Sequence, residues 1–144
     1  MNEFLAQYGT YVWYVGGVML LGIVITVIFS RRNKNKANKY LQEHPDAVRV
    51  FLHSKTSIAS EAVQVYLVNG QNPVLFSEKG KGGFYALPGN VMVQISYTHN
   101  RPGVMYKNVT KTTGAVEREL VIEPNKTYKL SFDRKENDFV FAEI

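Results

Sequence analysis

The residues from Tyr11 to Phe29, YVWYVGGVMLLGIVITVIF, form an apolar run of nineteen residues, and the uncharged stretch around it extends from Phe4 to Ser30. As a helix rising about 1.5 Å per residue, nineteen residues cover roughly 28 Å, close to the hydrocarbon thickness of a bilayer. A buried helix in a soluble domain would carry a polar face. A cleaved signal peptide would begin with a basic region and have a shorter apolar core. Here the N-terminal flank carries only Glu3, and the basic residues follow the run. The segment therefore predicts a transmembrane helix over residues 11–30, preceded by a short extracytoplasmic N-terminus at 1–10.

The flank sets the orientation. Arg31, Arg32, Lys34, Lys36 and Lys39 supply five positive charges in nine residues. Lys and Arg beside a span stay on the cytoplasmic side, which predicts a single-pass cell-membrane protein with a cytoplasmic C-terminal domain. Tyr8, Tyr11, Trp13 and Tyr14 gather at the other end, where amphipathic rings suit the outer headgroup layer. The basic residues also attract anionic lipid headgroups, by about 1 kcal/mol each near the surface. Gly22, Thr26 and Ser30 recur every four residues on one helix face, a spacing that suits packing against another transmembrane helix.

The same five charges account for the net charge of +5. From Tyr40 to Ile144 there are 12 Lys and Arg against 11 Asp and Glu. The high pI belongs to the flank, and nothing in the domain calls for a nucleic-acid partner. The chain has no cysteine, which removes disulfides, thiolate metal sites and a cysteine nucleophile.

Residues 31–46 form a basic juxtamembrane connector. Its stretch KANKYLQEH either continues the helix for about two turns or acts as a flexible tether, and Pro45 discourages helix at His44. From 47 to 144 the period changes. Val48–His53, Ala62–Val68, Val91–Tyr97, Ala115–Glu123, Tyr128–Phe132 and Phe139–Phe141 alternate or are rich in β-branched and aromatic residues. Turn signals separate them: Asn69-Gly70, Pro88-Gly89, Asn100-Arg101-Pro102-Gly103, Thr113-Gly114, Pro124-Asn125 and Glu136-Asn137-Asp138. The pattern predicts a mainly β fold, an antiparallel β-sandwich of seven to eight strands, with a small barrel as the alternative. Ser54–Glu61 reads as a loop or one helical turn. The alternating Phe84, Tyr97, Tyr106, Phe132, Phe139 and Phe141 are candidate core residues, whereas Phe51, Tyr66 and Tyr85 are candidates for an outer docking patch.

Gly82 to Tyr97, GGFYALPGNVMVQISY, joins a Gly-Phe-Tyr strand through Leu-Pro-Gly to an alternating strand, and VYLVNG at 65–70 fits the strand before it. This third of the chain resembles the PEGA and carboxypeptidase-regulatory-like modules, in which a similar turn joins two strands. The resemblance implies an Ig-like or prealbumin-like sandwich, non-catalytic, serving as an interaction or spacer module in envelope proteins.

No catalytic constellation is apparent. His44, His53 and His99 lack metal-ligand spacing, and no cofactor is expected. Lys79-Gly80-Lys81-Gly82-Gly83 lacks the Walker pattern and reads as a mobile hairpin loop, in which Lys79 and Lys81 can contact an anionic partner or lipid headgroup. Glu117, Glu119 and Glu123 read as the solvated face of a strand. Asn108-Val109-Thr110 and Asn125-Lys126-Thr127 match the glycosylation pattern but matter only in a secretory lumen. The expected function is that of an accessory or scaffold protein that positions a protein partner at the membrane. A surface-exposed envelope module is the alternative, and an enzyme with a non-obvious site is a third reading.

Overall fold

The computed structural model describes residues 2–105 and 107–144. The assignment of Tyr106 to the core lies outside the described residues. Among the described residues, one helix, α1 (Asn2–Glu43), precedes ten strands. Two compact units result, residues 1–36 and 37–144.

The first unit is helical throughout its described length. Its best window reaches a mean hydropathy of 2.4 with none of it buried, so α1 is long and apolar enough to cross a membrane. Helix also covers residues 2–10 and the basic stretch that follows the apolar run. It stops at Glu43, one residue earlier than His44, whose α conformation Pro45 disfavours.

The second unit is mainly β. Its strands are β1 (Val48–Leu52), β2 (Ser54–Lys55), β3 (Ser60–Val68), β4 (Leu75–Glu78), β5 (Lys81–Ala86), β6 (Gly89–Arg101), β7 (Val109–Thr112), β8 (Val116–Ile122), β9 (Thr127–Asp133) and β10 (Asp138–Glu143). One sheet has the order β10-β9-β1-β5-β4. The other has the order β2-β3-β6-β7, with β8 also pairing β6. The long β6 carries β8 along Gly89–Ile95 and β7 along Thr98–Arg101.

Two expectations are corrected. Among the described residues the strands number ten, against the seven or eight expected. The additional ones, β2, β4 and β7, have two to four residues, too short to establish a period. The pairing is also not wholly antiparallel, because β1 lies parallel to β9, with Val50 opposite Tyr128 and Leu52 opposite Leu130. A parallel pair needs a long crossover, and alternation within a strand says nothing about direction. Here the crossover comprises the whole of the other sheet together with β4 and β5. The chain leaves β1 at His53, whose N–H donates to the Leu130 carbonyl and whose carbonyl accepts from the Val63 N–H. A single residue is thus bonded to both sheets where the chain passes between them.

Both sheets supply one apolar core. Val50, Phe84 and Leu130 come from the first, and Val93 and Ile95 from the second, all with essentially no exposure. Each such side chain contributes about 1.5–3 kcal/mol through burial. Phe132, Phe139 and Phe141 pack against this cluster half-buried.

The outer face of the first sheet carries an aromatic row. Phe51 meets Phe76 edge-on at 5.2 Å, Phe76 meets Tyr85 at 4.9 Å, and Tyr85 meets Tyr40 of α1 at 6.3 Å. Ala37 is buried, and Tyr40 and Leu41 are half-buried. Burial, with the neighbouring Asp46 carboxylate, raises the Tyr40 hydroxyl above its usual pKa. The last turns of α1 are therefore folded onto the β domain. Phe51 and Tyr85, candidates for a partner patch, are engaged by the chain itself.

Candidate functional site: a cationic groove between the sheet edges

The groove begins where the core ends. Side chains alternate along a strand, so one register continues from core to rim. On β6 that register runs Val91, Val93, Ile95, Tyr97 and then His99. On β8, Arg118 stands between the half-buried Val116 and the buried Leu120. Beyond β9, Arg134 follows Tyr128, Leu130 and Phe132. Lys111 of β7 pairs with His99. The inward registers of β6 and β9 thus run out into His99 and Arg134, while that of β8 is interrupted by Arg118.

These residues line an open groove of about 660 Å³. Its aromatic part is formed by Tyr97 stacked on Phe132 at 4.3 Å and 14°, with Phe139 edge-on to Phe132 at 5.1 Å. The volume falls in the range of ligand sites, and an apolar lining with a few fixed polar groups is their usual composition. Three permanent cations, Lys111, Arg118 and Arg134, stand in the lining against one carboxylate, Asp138. Asp138 is engaged by Arg118 Nη2 at 2.8 Å and by the Phe139 N–H, and both hold its carboxyl below the usual range, Arg118 foremost. That pair joins β8 to β10 across the groove. Lys111 and Arg134 take part in no ion pair among the described residues.

Beside the groove, Glu61 of β3 accepts from the Tyr97 hydroxyl at 2.8 Å and lies 3.0 Å from His53 Nε2. The hydrogen bonds from His53 and then Tyr97 lower the Glu61 pKa. Burial, and secondarily the bond to Glu61, pushes the Tyr97 hydroxyl up to about 12. Both shifts stabilise the resting protonation states, an ionised Glu61 and a neutral Tyr97. The trio ties β3 and β6 to the chain at the end of β1.

A second groove, of about 590 Å³, collects Lys79, Lys81 and Lys129 beside Phe51 and Ile144. Lys79-Gly80 is a tight two-residue turn with both residues at positive φ, and Glu78 pairs directly with Lys81. This corrects the mobile loop expected at 79–83, because Lys81 onward belongs to β5.

The other sequence-derived residues lie elsewhere. Arg31, Arg32, Lys34, Lys36 and Lys39 are exposed along α1, and Lys39 faces Glu43 at 3.8 Å. Tyr8, Tyr11, Trp13 and Tyr14 are exposed near its start. On the Gly22, Thr26, Ser30 face, the Thr26 hydroxyl donates to the Gly22 carbonyl at 2.8 Å, which satisfies it within the helix. Tyr66 sits at a bulge in β3, its hydroxyl 3.0 Å from the buried Ser96 hydroxyl. Glu117, Glu119 and Glu123 are exposed. No cluster of three or more metal-ligating side chains occurs among the described residues.

The groove cations escaped the sequence reading because the net charge of the domain hides them. Two signals could have revealed them. Residues 79–116 hold five Lys and Arg and no Asp or Glu. The inward register of β6 also extends into His99 instead of ending at Tyr97. No family model, no curated protein and no solved structure matches the chain.

Proposed function

We propose that this is a single-pass membrane protein whose β domain is a non-catalytic scaffold that positions a protein partner at the cell membrane. One observation carries the reading. An apolar helix with its span-length face uncovered is continuous in sequence with a β domain that has its own core. Two sheets feeding one core support a sandwich, of Ig-like or prealbumin-like type by its resemblance to PEGA and carboxypeptidase-regulatory-like modules. The basic cluster after the span favours a cytoplasmic domain. The directions of the Glu61 and Tyr97 shifts favour a structural role for that trio over proton transfer near neutrality.

The lack of native cysteine permits a direct test. Thr56→Cys places one thiol on an exposed loop. A membrane-impermeant maleimide should label it only after cells are permeabilised, and crosslinking in native membranes should recover a stoichiometric protein partner. Labelling in intact cells overturns the orientation. Recovery of a mature chain lacking the apolar helix overturns the anchor.

A second reading places the domain outside the cell as an envelope binding module. It is favoured by the exposure of both acceptor asparagines, Asn108 and Asn125. A glycosidase-sensitive mass shift in a eukaryotic secretory host, together with labelling of intact cells, would decide for it.

A further inference from the structure

The five outermost strands differ in how they discourage pairing. A free strand edge offers unpaired N–H and C=O groups, and proteins blunt such edges by shortness, charge, Pro or bulges. β2 has two residues, and β4 and β7 have four each. β8 carries Glu117, Arg118 and Glu119 in succession. β10 has six residues, Asp-Phe-Val-Phe-Ala-Glu, with an apolar middle and no Pro or Lys. Among the described residues it pairs only with β9; Val140 and Ala142 turn their backbone groups to β9, which leaves the Phe141 and Glu143 N–H groups on the open edge. Its first residues, Asp138 and Phe139, form one wall of the cationic groove.

We propose that β10 is the docking edge of the domain and that it receives an extended, acidic segment of a protein partner as an added strand. The proposal deepens the scaffold reading and rests on it. Backbone pairing along β10 supplies affinity without sequence preference, as in strand addition generally. Selectivity comes from the groove at the start of the strand. There Lys111 and Arg134 take part in no ion pair among the described residues, while the single carboxylate of the lining, Asp138, is already held by Arg118. An incoming acidic side chain meets these two cations, and an apolar neighbour packs against Phe132 and Phe139. A peptide uses both the edge and the groove, whereas a free anion uses only the groove.

The test uses the full chain in zwitterionic-lipid nanodiscs and a panel of synthetic hexapeptides alternating Glu or Asp with Val, Leu or Phe. A matched panel carries Lys in place of the acids. Members of the acidic panel should bind, and hydrogen exchange should slow at the edge-facing amides of Phe141 and Glu143. Lys111→Glu combined with Arg134→Glu should weaken binding at least tenfold without moving the melting temperature by more than a few degrees. Methylating alternate backbone nitrogens of the peptide, so that it cannot pair as a strand, should abolish the exchange protection and leave the groove cations in place. The proposal is overturned if no acidic peptide binds, if the Lys panel binds as tightly, or if charge reversal leaves affinity unchanged. It is equally overturned if inorganic phosphate alone displaces the peptide, or if the exchange protection at β10 arises from pairing of two copies of this chain, seen as a concentration-dependent dimer. Any of these results, with the Thr56→Cys topology intact, removes the docking edge and leaves the membrane-scaffold reading standing.

Discussion

At Gly83 a missing side chain determines how two strands and a ring can meet. A Cβ there would collide with the Val50 carbonyl and lie 2.7 Å from the Phe76 ring. The ring of Phe76 instead covers the glycine from its cross-strand position. Gly83→Ala should therefore destabilise the domain by about 1–3 kcal/mol, the usual cost of overpacking, read as a lower melting temperature. Gly82 is the control, since the nearest atom to its added Cβ is 3.9 Å away. A second prediction concerns the Glu61–Tyr97 bond. The Glu61 pKa is lowered by folding, so its stabilisation is present above the ordinary carboxylate value of 4.5 and is lost as pH falls through the folded value. The Tyr97 pKa is raised, so its contribution is complete below 10.0 and declines as pH rises toward about 12. Tyr97→Phe should cost about 2 kcal/mol near neutrality, the scale of a hydrogen bond to a charged group, and should remove that alkaline decline. Glu61→Gln should remove the acid limb. Denaturant melts at several pH values read both limbs, and unchanged profiles would contradict the bond.

Among the elements, the long ones were legible in the sequence and the short ones were not. The apolar helix declared itself by length, and β3, β6, β8 and β9 by alternation over seven or more residues. β2, β4 and β7 exist because a long neighbour offers them hydrogen bonds, so their own sequences carry little signal. The parallel pairing of β1 with β9 is likewise a product of the whole chain, since Val50 and Tyr128 are far apart in sequence and stand opposite each other through the path of the strands between them. The groove was half legible. Tyr97 and Phe132 followed from alternation, but Arg118 and Arg134 on the same inward registers carry no apolar signal that marks them as inward. The end of α1 shows the same limit, for polar composition at 31–46 concealed the apolar contacts of Ala37, Tyr40 and Leu41. Tyr40→Ser should release those last turns. The expected loss is about 1 kcal/mol, the scale of an aromatic contact, with faster tryptic cleavage at Lys36 and Lys39 and unchanged protection of β6. Equal cleavage rates in both proteins would mean that the Tyr40–Tyr85 contact does not hold the helix end.

For the whole molecule, charge is divided by region. The flank of α1 holds a net excess of five cations, while the sequence from Tyr40 onward is nearly balanced, with 12 basic and 11 acidic residues. The two regions therefore respond differently to charge removal. In the β domain, replacing Lys111 or Arg134 alters a local groove. At the flank, the five cations adjoin an apolar helix long enough to cross a membrane, and in the proposed single-pass arrangement orientation follows the Lys and Arg bias close to the span. Replacing Arg31, Arg32, Lys34, Lys36 and Lys39 together with Gln should leave insertion intact, because the apolar window is untouched, and should abolish the preference for one orientation. The readout is the fraction of Thr56→Cys protein labelled in intact cells, which should rise from near zero to a substantial share, while alkaline extraction still finds all of the chain in the membrane. A fraction that stays near zero would mean that folding of the β domain before insertion, and not the flanking charge, fixes the side on which it resides.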